Sequence, residues 1–403
     1  MVNNKKINTS IKLYPIFYAF SADLIFFVPI DTLFLSIAKG LNASQISAIT
    51  MIGLLICILS KNIITKIINK IGNANSIRIG TFLLLFSSIL LLYGKSFITI
   101  ALYKIMYEFG FMFWNMASVL LRNDLISTNR GNEFFTIRNK SKVLYGIMTM
   151  LTALVSGYLF NIDKYIPVYI STAICLIIFL LSFKFYEGKV EIKKDDNMNN
   201  KKTKITSMIF LVLLSNALFY GIIKMGQNNS KLFMQYDFQK VLSIEMVTYY
   251  ITIIVFISRI VRIIGNVIFG KLYLKIKDKM SIVLTALESM AFLFLVLGHF
   301  TPNFTLKVIM MALGFFLILG IRDSFQIYIE DVALKITEKE EQQKIMINIE
   351  TYRKTVQLIL SVAFTLILIK NELIVIEIIL LILSVCEVFI NKMMYQKLEK
   401  KIN

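Results

Sequence analysis

The sequence predicts an all-α polytopic membrane protein of 12 transmembrane helices, arranged as two pseudo-symmetric six-helix bundles. Three observations predict it. The chain is 57% hydrophobic with a mean hydropathy of +0.71, where soluble chains run at about 45–50% apolar. Its apolar residues come in blocks of roughly 20, the length of helix that crosses a bilayer. A polar segment from Gly188 to Lys204 divides these blocks into two equal sets. Helices are the natural form for such blocks, because each satisfies its own backbone hydrogen bonds in lipid.

The first bundle, residues 1–187, carries spans over Leu13–Ile37, Gln45–Ile64, Ile77–Leu92, Ile98–Leu120, Val143–Phe160 and Ile166–Phe185. Residues 188–204 are charged and poor in large apolar side chains, the composition of a flexible linker on the cytoplasmic side. The second bundle, residues 205–403, carries Ile205–Met225, Val247–Phe269, Ile282–Leu297, Thr305–Ile327, Val356–Ile369 and Leu373–Ile390.

Charge orients these spans. With the N-terminus inside, most of the 44 Lys and Arg fall in inner connectors, and only Lys39, Lys95, Lys164, Lys231, Lys240, Lys307 and Lys370 fall outside. Excess Lys and Arg mark the cytoplasmic side, so both termini are expected there, in the plasma membrane. The net charge of +19 is accounted for in this way, and no nucleic-acid partner is expected.

Several chemistries are excluded or disfavoured. Cys57, Cys175 and Cys386 lie in apolar blocks without metal or redox spacing. The single histidine, His299, is placed in an outer loop, which rules out a histidine-based triad or a multi-histidine metal site. No Walker-type phosphate loop is present, so neither ATP nor any other cofactor or metal is expected. No cleavable signal is visible. Glu330 and Asp331, with Glu338, Glu340 and Glu341, are the nearest approach to a membrane-enzyme site, but they read as a solvated charged face. The chain is therefore not expected to be an enzyme.

The layout of six plus six spans with a basic middle loop resembles the major facilitator superfamily. That family carries a Gly-x-x-x-Asp-Arg-x-Gly-Arg-Lys loop after span 2 and an echo of it after span 8. Here Thr65–Ala74 keeps Lys70 and Gly72, with Asn69 at the acidic position, and Gly270–Lys279 keeps the leading glycine and basic residues. The glycine-proline motif that antiporters of the family carry in span 5 is absent; Gly157 stands there without a proline. The halves also resemble each other: sliding the chain so that Asp23 meets Asn216 puts Phe26 on Phe219, Phe27 on Tyr220 and Asp31 on Lys224. Such repeats, with a site at their interface, are a transporter pattern.

The resemblance implies a secondary active transporter moving a small solute by alternating access. Proton coupling is expected, with a lean to efflux of an amphipathic compound; the alternatives are an uptake symporter or a non-transporting sensor or assembly protein. Protons, membrane lipids and the solute are the expected partners.

Charged residues inside spans are costly, at ~2.5–3.5 kcal/mol or more, and are functional candidates by default. Asp23 and Glu108 are the candidate proton carriers. Asp31 and Lys224 are an expected outer-gate pair. Lys104, Tyr107, Asn216, Tyr220 and Arg259 are candidates for lining the substrate cavity. Lys104 and Glu108 are four apart, so they can pair on one helix face. Asn216, Tyr220 and Lys224, followed by Gln227, make a polar stripe on span 7. Arg262 and Glu288, on sequential spans at similar depth, are expected to form a structural ion pair. Arg122 with Asp124, and Arg322 with Asp323, close spans 4 and 10 at the cytoplasmic side, where the simpler expectation is interface anchoring and the alternative is inner-gate contacts. Glu377 has no assigned role.

Overall fold

A computed structural model describes residues 2–187, 207–276, 279–336, 342–370 and 372–402. It divides into two compact units, Met1–Asp196 and Asn197–Asn403. The expected linker, residues 188–204, lies outside the described residues. Among the described residues every regular element is helical, and nine helices are long and apolar enough to cross a membrane.

In unit 1, α1 (Val2–Ser21) ends early. The chain then turns through residues 22–27, makes a 3-10 turn at Val28–Ile30, a short α2 (Asp31–Leu33) and a π turn at Phe34–Ala38. Span 1, expected to be continuous, is therefore broken at mid-length. Two residues explain the break. Pro29 has no N–H to give and restricts the residue before it. Asp23 takes the Leu24 N–H on its own carboxylate at 2.9 Å, diverting it from the helical ladder. The second half has Ile222 where Pro29 falls on sliding the halves together, and its helix runs through unbroken.

The remaining helices of unit 1 are α3 (Ala43–Ile71), α4 (Asn73–Tyr93), α5 (Phe97–Trp114), α6 (Met116–Ser127), α7 (Phe134–Ile162) and α8 (Ile166–Ser182). Their starts are chemically specified. Asn42 and Gln45 cap α3 reciprocally, as Ser96 and Thr99 cap α5. Gly72, at φ +83°, makes the left-handed turn between α3 and α4. There the Glu187 carboxylate accepts the Asn73 N–H at 2.9 Å, and it also takes the Asn73 side-chain amide and the Ala74 N–H. α4 and α5 approach closely because Gly80 lies against the backbone of Gly110 and Trp114. Small residues permit such contacts between membrane helices. The apolar core joins Tyr14 and Phe17 of α1 to Ile77, Leu84, Trp114, Leu120 and Ile178.

Unit 2 holds α9 (Ser207–Gln239), α10 (Ile244–Ile276), α11 (Met280–Phe300), α12 (Phe304–Ile336), α13 (Gln342–Leu368) and α14 (Leu373–Ile402). Several exceed the expected spans. α9 continues to Gln239 and carries Lys231 into a buried position at 5% exposure. α13 begins at Gln342 and places Arg353 inside the helix. α10 packs on α12, where Gly265 touches the Gly320 backbone, whereas α11 packs on α12 and α14 and hardly meets α10.

Candidate functional site

In unit 1 the broken span and α5 build a polar centre together. The break brings Asp23 against α5, and the Tyr107 hydroxyl donates to Asp23 Oδ1. One turn away on α5, Lys104 Nζ and Glu108 Oε1 pair at 2.7 Å. The Lys104 ammonium also sits 4.6 Å from the Tyr107 ring centroid, a favourable cation–π distance. α3 closes over this pair through Gly53, where an added Cβ would lie 2.9 Å from Lys104 Cγ. Four of the sequence candidates, Asp23, Lys104, Tyr107 and Glu108, therefore form one connected group.

Aromatic rings extend from this centre in both directions along α5. Tyr103 lies 6.0 Å from Tyr107 and 6.1 Å from Phe27, and Phe111 lies 4.7 Å from Tyr107. Phe111 in turn meets Trp114, which meets Tyr18. Behind Asp23, a cavity of about 10 Å³, room for roughly one water, is lined by Ser21, Asp23, Thr81 and Cys175 among others. Ser21 there accepts from Trp114 Nε1 at 2.7 Å. Asp31 lies eight residues on and accepts the Thr32 N–H at 2.7 Å at the start of α2.

Lys39, placed outside the spans by sequence, has a defined seat. Its ammonium donates to the Leu92 and Gly94 carbonyls, both at 2.9 Å, and lies 5.0 Å from the Tyr165 ring centroid. It thereby satisfies carbonyls at the C-terminal end of α4, where the helix dipole favours a cation. Burial, with the Lys95 charge next in importance, pushes its pKa down to about 8.

In unit 2 the polar stripe of α9 is engaged by arginines from two helices. Asn216 Oδ1 accepts from Arg353 Nε and Nη2, at 3.1 and 2.8 Å. The same guanidinium lies 4.9 Å from the Tyr220 ring centroid. Gln227 Oε1 accepts from Arg322 Nη1 at 2.9 Å. Lys224 lies between these contacts, half-buried. Phe219 stacks on Phe325 at 3.7 Å between centroids.

Arg262 bonds to Asp323 at 2.6 Å, and Arg322 joins the same carboxylate at 3.2 Å. Arg262 is therefore not paired with Glu288. The expectation rested on sequential helices being neighbours, but α10 faces α12, which carries Asp323, and turns away from α11. Arg322 and Asp323, expected to anchor a helix end, belong to this internal cluster, which Asn266 extends at 3.4 Å. Arg259 lies three residues before Arg262, half-buried on α10. In unit 1, Arg122 is exposed and Asp124 buried.

Arg353 is a functional candidate that sequence reasoning missed, because it lies ahead of the expected start of its span at Val356. The signal was present: Arg353, Gln357 and Ser361 recur every four residues and are all buried on α13. Glu377, without a role from sequence, is fully buried and accepts from Ser230 at 3.1 Å. His299 is not in a loop; it ends α11, stacks on Phe233 and lies 3.4 Å from Asp237. Asp237 is further held by Lys240 at 2.9 Å and Lys307 at 2.8 Å. Among the described residues no group of three or more His, Cys, Asp or Glu could hold a metal ion.

Long apolar helices with internal polar centres and a broken first span define a polytopic membrane protein. The sequence profile of the MFS_1 like family matches residues 10–243, and the chain belongs to that family. A comparison with curated protein sequences finds no match. Solved structures agree on the fold. A mutant of the nucleoside transporter NupG superposes with a TM-score of 0.75 at 12% identity, covering 95% of this chain and 99% of that one. A bacterial homologue of the iron transporter ferroportin gives 0.71 at 13%, covering 96% and 98%. A D-xylose-proton symporter gives 0.71 at 12%, covering 97% of each chain. The fold is the 12-helix fold of major facilitator transporters, which are not enzymes.

Proposed function

We propose that this transporter moves a small solute across the plasma membrane by alternating access, coupled to protons and directed outward, with both termini in the cytoplasm. The observation that carries the reading is the Tyr107–Asp23 contact beside the Lys104–Glu108 pair. Asp23 sits where the helix is broken. Irregular backbone at membrane depth is tolerated where protein buries it or where it lines a watery path. A carboxylate there, held by one phenol and one backbone N–H, can change partners when it takes a proton. Glu108 is the second proton carrier in this reading: a proton taken on its carboxylate neutralises it and releases the Lys104 ammonium from the ion pair.

The solved transporters of this fold carry small solutes, a nucleoside and D-xylose among them, which supports a small-molecule cargo here. The aromatic run from Phe27 to Trp114 supports an amphipathic one. Tyr220 and Arg259 are proposed as solute-contacting residues of the second unit, and Asp31 and Lys224 as the outer-gate residues of their respective units. Purified protein in liposomes should show substrate-dependent proton movement that Asp23→Asn abolishes. Substrate movement with no accompanying proton flux would defeat the coupling, and unchanged flux in Asp23→Asn would defeat the assignment of the residue. Candidate solutes come first from a thermal-shift screen in detergent, since a ligand that binds the folded form raises its melting point.

A further inference from the structure

Glu288 on α11 and Glu387 on α14 are both fully buried, with 0% of either exposed. The two carboxyl groups lie within hydrogen-bonding reach of each other, and no cation among the described residues bears on either. Asn391 Nδ2 donates to Glu387 Oε1 at 3.3 Å, and Asn391 Oδ1 accepts from Ser215 of α9 at 2.9 Å. Those are neutral groups. Both Glu288 oxygens and Glu387 Oε2 receive no donor at all.

The chemistry of that arrangement is restrictive. Two carboxylates are acceptors only, so as an ionised pair they offer each other repulsion and no hydrogen bond. Burying one unpaired charge is already prohibitive without a partner. One proton placed between them converts one acceptor into a donor, joins two of the three orphaned oxygens and leaves a single dispersed charge for Asn391 to meet. We propose that Glu288 and Glu387 form a proton-binding site in unit 2, a shared-proton carboxyl pair that ties α11 to α14. The site stands apart from the Asp23 centre and does not depend on the transport reading. Its ligand class is the proton, with a small monovalent cation such as sodium as the competing occupant.

Infrared spectroscopy on the purified full-length protein at neutral pH tests this, because a protonated carboxyl absorbs apart from a carboxylate. Glu377, the other fully buried carboxyl on α14, is first removed from the signal by Glu377→Gln. In that background the proposal expects a protonated-carboxyl band that shifts in deuterated buffer. Glu288→Gln or Glu387→Gln should each move the band, since the proton is then held by one carboxyl facing an amide instead of being shared by two. A band unmoved in both single variants, or none in their common background, overturns the proposal. If the single variants fail to fold, the background protein alone decides through the presence or absence of the band. Thermal stability that falls when choline replaces sodium, together with no protonated band, identifies a sodium site and also overturns it.

Discussion

Arg353 of α13 holds Asn216 of α9 through two nitrogens on one oxygen, Nε at 3.1 Å and Nη2 at 2.8 Å, with the guanidinium over Tyr220. A planar fork can aim two fixed N–H donors at one acceptor while its flat face lies on a ring, a rigid geometry that the tetrahedral ammonium lacks. Arg353→Lys is therefore expected to destabilise the protein nearly as much as Arg353→Met. Asn216→Ala removes this acceptor from a buried guanidinium, at a cost of about 1–3 kcal/mol. A double-mutant cycle read by thermal unfolding in detergent should show the two losses to be strongly non-additive. Additive losses would mean that the contact contributes nothing as a pair.

The centre of unit 1 gives a prediction on transport. Tyr107→Phe keeps the ring beneath Lys104 and removes only the hydroxyl that reaches Asp23. If Asp23 exchanges a proton during the cycle, its rate profile against pH should be displaced in Tyr107→Phe, with substrate affinity retained. Glu108→Gln should leave Lys104 without its 2.7 Å partner and reduce proton coupling. Transport assays across a pH series, with parallel binding measurements, separate these effects. An identical pH profile in Tyr107→Phe would remove the hydroxyl from the mechanism.

Helix contacts predict a graded response to one added methyl. A Cβ at Gly80 would come within 2.6 Å of the Trp114 nitrogen and 2.8 Å of the Gly110 oxygen, both backbone, whereas a Cβ at Gly146 would meet nothing within 4 Å. Gly80→Ala forces α4 and α5 apart, for which overpacking suggests about 1–3 kcal/mol. Gly146→Ala, in α7, should be neutral or stabilising by up to about 1 kcal/mol. Melting curves in the same detergent compare the two directly.

Much of this was legible because membrane burial leaves a coarse signature. Apolar blocks and lysine-rich connectors set the number and order of spans, and the four-residue spacing of Lys104 and Glu108 put that pair on one face. Three things were not legible. Apolar length does not reveal a helix break, so span 1 read as continuous although Pro29 and Asp23 both argued for a turn. Chain order is a weak guide to helix neighbours, which is why Arg262 was matched with Glu288 when Asp323 was nearer. Charged residues near the ends were assigned to loops, because no apolar block reaches Lys231 or Arg353, yet both lie in helices that extend past the expected boundary.

At the turn between α3 and α4, Gly72 and Glu187 act on one another. The Glu187 carboxylate caps α4 through the Asn73 and Ala74 N–H groups, and a Cβ at Gly72 would lie 2.7 Å from its Oε2. Glu187→Ala removes the cap and should cost about 0.5–2 kcal/mol, with Glu187→Gln intermediate. Gly72→Ala should be worse than either, because it adds left-handed strain at φ +83° to the collision. If Gly72→Ala and Glu187→Ala melt together and their double mutant melts no lower, collision and not strain dominates.

Lys39 gives a pH dependence whose sign runs opposite to that of a cation in an ion pair. Its pKa falls from 10.5 to about 8 on folding, through burial and then the Lys95 charge. Between those values the unfolded chain binds more proton than the folded one, so this residue's contribution to stability rises with pH across the window. Below about 8 the ammonium is charged in both states, and its burial opposes folding while its two carbonyl bonds favour it. The difference in melting temperature between wild type and Lys39→Met should therefore move in favour of wild type as pH is raised from 7 to 10. Because Lys39 remains partly accessible, an amine-reactive reagent should also modify it increasingly through pH 8. A melting difference that stays flat across that range would show that the ammonium is as well solvated in the fold as in water.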